Sequence, residues 1–220
     1  MKKNKLYLDK LIDTTNIERE KNEKVFEITR RIEQELSRFP NFIGVFPFGS
    51  RVKGYSDENI MEPHSGLKGS DYDMHVFENW NILEDESVTD TLCEIGTEYR
   101  KKGIKIHFLE QPLREKDLFC LFDVADMVGT EYTHVQSFAT LCRAGRGEKI
   151  NEWRNKVKEE ISRLPKEKQE TLFQLFSDFL VSSDKRSLLK ISERIPGLDT
   201  DEYVASRRIL WAKRVRRIFA

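Results

Sequence analysis

Two short stretches hold the residue types with chemistry to offer. In the first, Phe42-Ile43-Gly44-Val45-Phe46 reads as a buried strand leading through Pro47-Phe48 into Gly49-Ser50, with Gly54 four residues after Ser50. In the second, Gly69-Ser70 precedes Asp71-Tyr72-Asp73, which opens the apolar run Met74-His75-Val76-Phe77. A strand that ends in Gly-Ser and turns into a helix start presents bare backbone N–H groups, which hold phosphate. Side chains alternate along a strand, so Asp71 and Asp73 leave on one face, roughly 6.5–7 Å apart along it. Carboxylates so spaced suit a pair of Mg²⁺ ions about 3.5–4 Å apart, the arrangement used for in-line displacement at phosphorus. Gly49 and Ser50 are thus candidate phosphate holders, and Asp71 and Asp73 candidate metal ligands. Arg51 and Lys53, beside the turn, are candidates for neutralising triphosphate charge as a leaving group develops.

Gly49, Ser50 and Gly54, then Ser70, Asp71 and Asp73 with Met74, Val76 and Phe77 behind them, resemble the signature of the DNA polymerase β-type nucleotidyltransferase superfamily. The match covers about residues 42–77, and the size and helical tail of the chain are similar to those of small standalone members. The resemblance implies an α/β (α+β) nucleotidyltransferase fold, with a mixed sheet followed by a C-terminal helical bundle. It further implies that Gly49, Ser50 and Ser70 contact the nucleoside triphosphate and that Asp71 and Asp73 bind Mg²⁺. The reaction would move a nucleoside monophosphate to an acceptor hydroxyl, on a small molecule or a protein, and release pyrophosphate. A weaker echo runs from Tyr132 to Ile150, ending Ala144-Gly145-Arg146-Gly147-Glu148-Lys149-Ile150, where the family closes its catalytic domain with a helix that ends in a Gly-containing turn and an apolar tail.

The family draws a third acid from the middle of a later strand. The strand in that place here, Ile104 to Glu110, offers His107 instead. Its alternation puts Lys105, His107 and Leu109 on one face and Ile104, Ile106, Phe108 and Glu110 on the other. Histidine is a poor Mg²⁺ ligand, but its ordinary pKa near ~6.5 suits a general base. His107 is accordingly a candidate catalytic residue. Glu110, across a bulge, and Asp123 or Asp126, from the segment that follows, stay open as the missing acid. His75 shares the face of the Asp pair. A substituted third acid also fits a second reading, in which the chain keeps the fold and binds a nucleotide or a partner without turnover.

The elements that must position these residues follow from hydrophobic periodicity. Ile17, Val25, Ile28, Ile32 and Leu36 predict an amphipathic helix from about Thr15 to Arg38, before the first strand. Val88 to Lys102 predicts a second helix, capped by Gly103. From Asn151 the pattern is helical to the end, with one stripe at Trp153, Val157 and Ile161 and another at Leu172, Leu175, Phe176, Phe179 and Leu180. The expected organisation is a catalytic domain over residues 1–148 and a helical domain over residues 149–220.

With 38 basic and 38 acidic residues in 220, nothing steers the whole chain toward nucleic acid. The run Arg207, Arg208, Lys213, Arg214, Arg216 and Arg217 is basic, and reads as a solvated helix face or, less simply, as one that binds RNA phosphates or an acidic partner. Three widely spaced cysteines, Cys93, Cys120 and Cys142, make neither a disulfide framework nor a zinc spacing. With no apolar run near ~20 residues and no signal-peptide pattern, a cytoplasmic location is expected. A homodimer that completes an open cleft is a further possibility for so small a transferase.

Overall fold

The structure is a computed structural model that describes residues 23–56, 69–79, 86–113 and 141–220. The expected helix start at Thr15, and Cys120, Asp123 and Asp126, lie outside the described residues. Those described form a mixed α/β, helix-rich fold of seven helices and a three-stranded mixed sheet. They divide into two compact units, one holding residues up to Leu113 with Ala144–Lys149, the other Leu141–Arg143 with Ile150–Ala220.

In the first unit the elements are α1 (Glu23–Leu36), β1 (Phe42–Phe48), α2 (Gly49–Lys53), β2 (Tyr72–Asn79), α3 (Glu86–Lys101) and β3 (Ile106–Leu113). Strand order is β1-β2-β3, antiparallel between β1 and β2 and parallel between β2 and β3. The parallel pair needs a crossover, and α3 supplies it. Helices α1 and α3 pack on one face of the sheet. Val25, Ile28, Ile32 and Leu36 of α1 and Val88, Leu92 and Ile95 of α3 are buried with Val45, Met74 and Val76. Burying each of these side chains contributes about 1.5–3 kcal/mol, so this face fixes the register of β2. Its period of two then sends Asp71, Asp73 and His75 to the opposite face. At the helix–helix contact, Tyr99 donates from its hydroxyl to Glu27 Oε1 at 3.2 Å, and burial first, then Glu27, pushes its pKa up to about 12.

Strand β3 starts two residues later than the pattern suggests. Gly103, at φ 75°, closes α3, with Gly103 N–H donating to Arg100 O at 2.9 Å and Ile104 N–H to Tyr99 O at 3.0 Å. This pair of bonds is the Schellman closure. It claims Ile104 for the end of the helix, and the ladder begins one residue on, where Tyr72 N–H donates to Lys105 O at 2.9 Å. The segment Ala144–Lys149 returns to β1. Arg146 exchanges two backbone hydrogen bonds of 2.9 Å with Val45, and its guanidinium pairs with Glu33 of α1.

The second unit is helical: α4 (Glu148–Ser162), whose residues from Ile150 on belong here, α5 (Lys166–Lys185), α6 (Leu188–Arg194) and α7 (Thr200–Phe219). Trp153, Val157 and Ile161 are buried as their spacing predicts. On α5 the buried arc is Leu172, Phe173, Phe176, Phe179 and Leu180, while Leu175 sits exposed at its edge. Phe176 meets Phe219 of α7 edge to face, 5.9 Å between ring centres. The Asp199 carboxylate caps α7, accepting from the N–H groups of Asp201 and Glu202 at 3.0 Å.

The basic run on α7 is not one solvated face. Arg207 is 2% exposed and Asp184 3%, joined by a 2.5 Å bond from Nε to Oδ2. The same oxygen accepts from Trp211 Nε1 at 2.7 Å. Arg214 is also buried and donates to the Cys142 carbonyl. Arg216 pairs with Glu170 of α5 at 2.6 Å. Two of the six basic residues thus point inward, because their positions fall on the stripe shared by Tyr203, Trp211 and Val215. Among the described residues, no helix is long and apolar enough to cross a membrane.

Candidate active site

The sheet register assembles the site. Across the strands, Phe48 of β1 pairs with Asp73 of β2, and Asp73 with His107 of β3. Neighbouring strands stand about 4.8 Å apart, so the end of β1, Asp73 and His107 lie in one row. Asp71, one residue before β2, sits two residues back on the same face.

Asp73 is the centre of the row. Its Oδ1 lies 3.1 Å from His107 Nδ1. Its other oxygen rests against Gly49, where an added β-carbon would fall 1.8 Å from Oδ2 and 2.7 Å from Cγ. Gly49 also has φ +78°, a conformation that side chains rarely adopt. Glycine is required here twice over, for the turn out of β1 and for the close approach of the carboxylate. Asp71, Asp73 and His107 each bring one ligand atom to within 4.8 Å of the other two. The two carboxylates are half-buried and His107 is 55% exposed at its side chain, so the cluster opens outward.

Around this cluster the neighbouring residues are tied down. Lys105 Nζ stands 3.8 Å from Asp71 Oδ2. Sequence alternation had placed Lys105 on the His107 face without singling it out, and its charge now balances part of the acidic pair. The Arg51 guanidinium donates to the Ser70 carbonyl at 2.6 and 3.1 Å and lies 3.9 Å over the Tyr72 ring. It thereby pins the residue that precedes the Asp pair to the turn that follows β1. Ser50 and Ser70 are both buried. Lys53 is half-buried in the last turn of α2. Gly54, at φ 82°, ends that helix with its N–H on Ser50 O.

His75 packs rather than reaching out. Its ring centre is 3.8 Å from that of Phe48 and 5.9 Å from that of Phe77. Glu110 is on the far face of β3, where Thr89 of α3 donates to its Oε2 at 3.1 Å. No bulge brings it round. Among the described residues the third member of the cluster is therefore His107, while Asp123 and Asp126 lie outside them.

The donor set fits a divalent cation: two carboxylates and an imidazole, with an open side. Comparison with protein-family models, with curated proteins and with solved structures finds no match to the chain.

Proposed function

We propose that this chain is a metal-dependent nucleotidyltransferase, moving a nucleoside monophosphate from a nucleoside triphosphate to an acceptor hydroxyl. The observation that carries the reading is the placement of Asp73, with one oxygen against Gly49 of the Gly-Ser turn and the other facing His107. A phosphate-type turn thus lies beside a cation-type cluster, which supports a reading of transfer at phosphorus.

Asp71 and Asp73 would hold Mg²⁺ or another divalent ion. Bound there, such an ion would supply Lewis acidity toward the acceptor hydroxyl and charge compensation for the phosphates. The chain's own residues supply the rest. Gly49 and Ser50 hold the β- and γ-phosphates by their backbone, and Arg51 keeps Ser70 and the start of β2 in place beside them. The acceptor oxygen forms its bond to the α-phosphorus as the bond to the bridging β-oxygen breaks. Pyrophosphate leaves, and the hydroxyl proton passes to His107 or to water. An acceptor on a small molecule or a protein suits a chain of zero net charge better than RNA does.

The test is release of pyrophosphate from each of the four triphosphates, supplied with Mg²⁺ and pooled hydroxyl acceptors. Asp73→Asn should abolish it with the fold intact. Turnover by that variant at the wild-type rate would sink the reading. A second reading, nucleotide binding without transfer, draws on the histidine at the third-acid position, and is identified by binding with no pyrophosphate above background.

A further inference from the structure

The family the sequence resembles completes its metal site with oxygen; this chain presents nitrogen. His107 Nδ1 and Asp73 Oδ1 face each other at 3.1 Å. Two lone pairs cannot sit that close without something between them. An approach this close is stabilised by a proton or a cation shared between the two atoms. The same spacing is the edge of a coordination octahedron, since two ligand atoms each about 2.1 Å from an ion and at right angles stand about 3.0 Å apart. Asp71 brings a third ligand atom within 4.8 Å of both. His107 is fixed here by the in-register pairing of β3 with β2, and Glu110 is held on the other face by Thr89.

We infer that His107 is a metal ligand, and that the Asp71–Asp73–His107 cluster selects Mn²⁺ and neighbouring imidazole-binding ions over Mg²⁺. Mg²⁺ demands oxygen and parts reluctantly with its water. An imidazole ligand suits first-row transition ions, whose affinity for a given site rises from Mn²⁺ toward the later members; Mn²⁺, the weakest of them, still accepts nitrogen more readily than Mg²⁺ does. Ligation through Nδ1 leaves the proton on Nε2, so His107 is then no base, and the acceptor's proton goes to solvent water at this open site. This assignment rests on the nucleotidyl-transfer reading only in taking Asp71 and Asp73 as cation ligands.

The experiment uses the metals alone, with no nucleotide. Mn²⁺ and Mg²⁺ binding are measured by calorimetry, with Mn²⁺ also followed by its electron-spin signal, on wild type, His107→Ala and His107→Asp. Wild type should bind Mn²⁺ at least tenfold tighter than Mg²⁺. His107→Ala should weaken Mn²⁺ by at least the ~10–100-fold that loss of even an outer ligand partner causes, with Mg²⁺ little changed. His107→Asp should raise Mg²⁺ affinity and shrink the ratio. Because His107 is mostly exposed, both variants should fold, which circular dichroism checks. A Mn²⁺ affinity and a Mn²⁺/Mg²⁺ ratio unmoved by His107→Ala, or a wild type that binds no Mn²⁺, overturns the inference. If the His107-dependent preference holds and no triphosphate binds, the inference stands and the transferase reading fails. If triphosphate turnover occurs with the ratio unmoved, the reverse is true.

Discussion

The carboxylate of Asp73 lies directly against the α-carbon of Gly49, so that a β-carbon there would stand 1.8 Å from Oδ2. Two motifs far apart in the chain are thus one packed unit. Gly49→Ala cannot be accommodated without moving the Asp73 carboxylate, and the left-handed backbone adds about 1–2 kcal/mol of strain. The variant should lose metal-dependent nucleotide binding, while its unfolding free energy falls by only about 1–3 kcal/mol. Calorimetric titration beside urea unfolding separates the two effects.

In the helical unit, Asp184 accepts from both Arg207 and Trp211 with all three side chains buried. Among the described residues Arg207 Nη1 is buried with no hydrogen-bond partner, and the Asp184 carboxylate compensates the guanidinium through Nε. Asp184→Ala should cost about 3–5 kcal/mol by leaving that charge uncompensated. Replacing both, Asp184→Leu with Arg207→Met, should recover most of the loss. Urea midpoints of the single and double variants decide it; a single variant as stable as wild type would remove the pair from the account.

Cys142 is buried and Cys93 exposed. Burial pushes the Cys142 thiol up to about 12, so the native state keeps a proton that the unfolded chain loses above about pH 8.5. Above that pH the unfolded state binds fewer protons than the folded one, and stability falls as pH rises, by up to about 1.4 kcal/mol per unit. In a Cys120→Ser background at pH 8, a thiol reagent should label Cys93 at once and Cys142 only on unfolding. Equal labelling rates would contradict the burial.

Much of this arrangement could be read from the chain, and the reasons differ by element. Period-two alternation after Asp71 sufficed to put Asp73 and His75 on one face, because Met74 and Val76 are held in the core on the other. The same alternation separated His107 from Glu110. Heptad-like spacing located α1, α3 and the buried stripe of α4. What the sequence did not carry was anything decided by a neighbour distant in the chain. Leu175 looks like a core residue in its own helix and is left exposed at the edge of the buried arc. Arg207 and Arg214 look like solvated charges, and are buried because Asp184 and the Cys142 carbonyl receive them. β3 starts later than its pattern suggests because Ile104 reads as strand by side chain, while its N–H belongs to the closure of α3. The contact of Gly49 with Asp73, and the tie of Arg51 to Ser70, depend on strand register and have no local signal.

The most direct measurement is thermal unfolding with each of the four triphosphates, with and without a divalent ion (Mg²⁺ or Mn²⁺), for wild type and Asp73→Asn. The account predicts a rise in Tm for at least one triphosphate that requires the ion and is absent in the variant. A ligand at 100 times its Kd stabilises by about 2.7 kcal/mol, several degrees in a protein of this size. No rise with any triphosphate and either ion, or a rise that survives in Asp73→Asn, would contradict the claim that the Gly-Ser turn and the Asp71–Asp73 pair form a nucleotide-binding site.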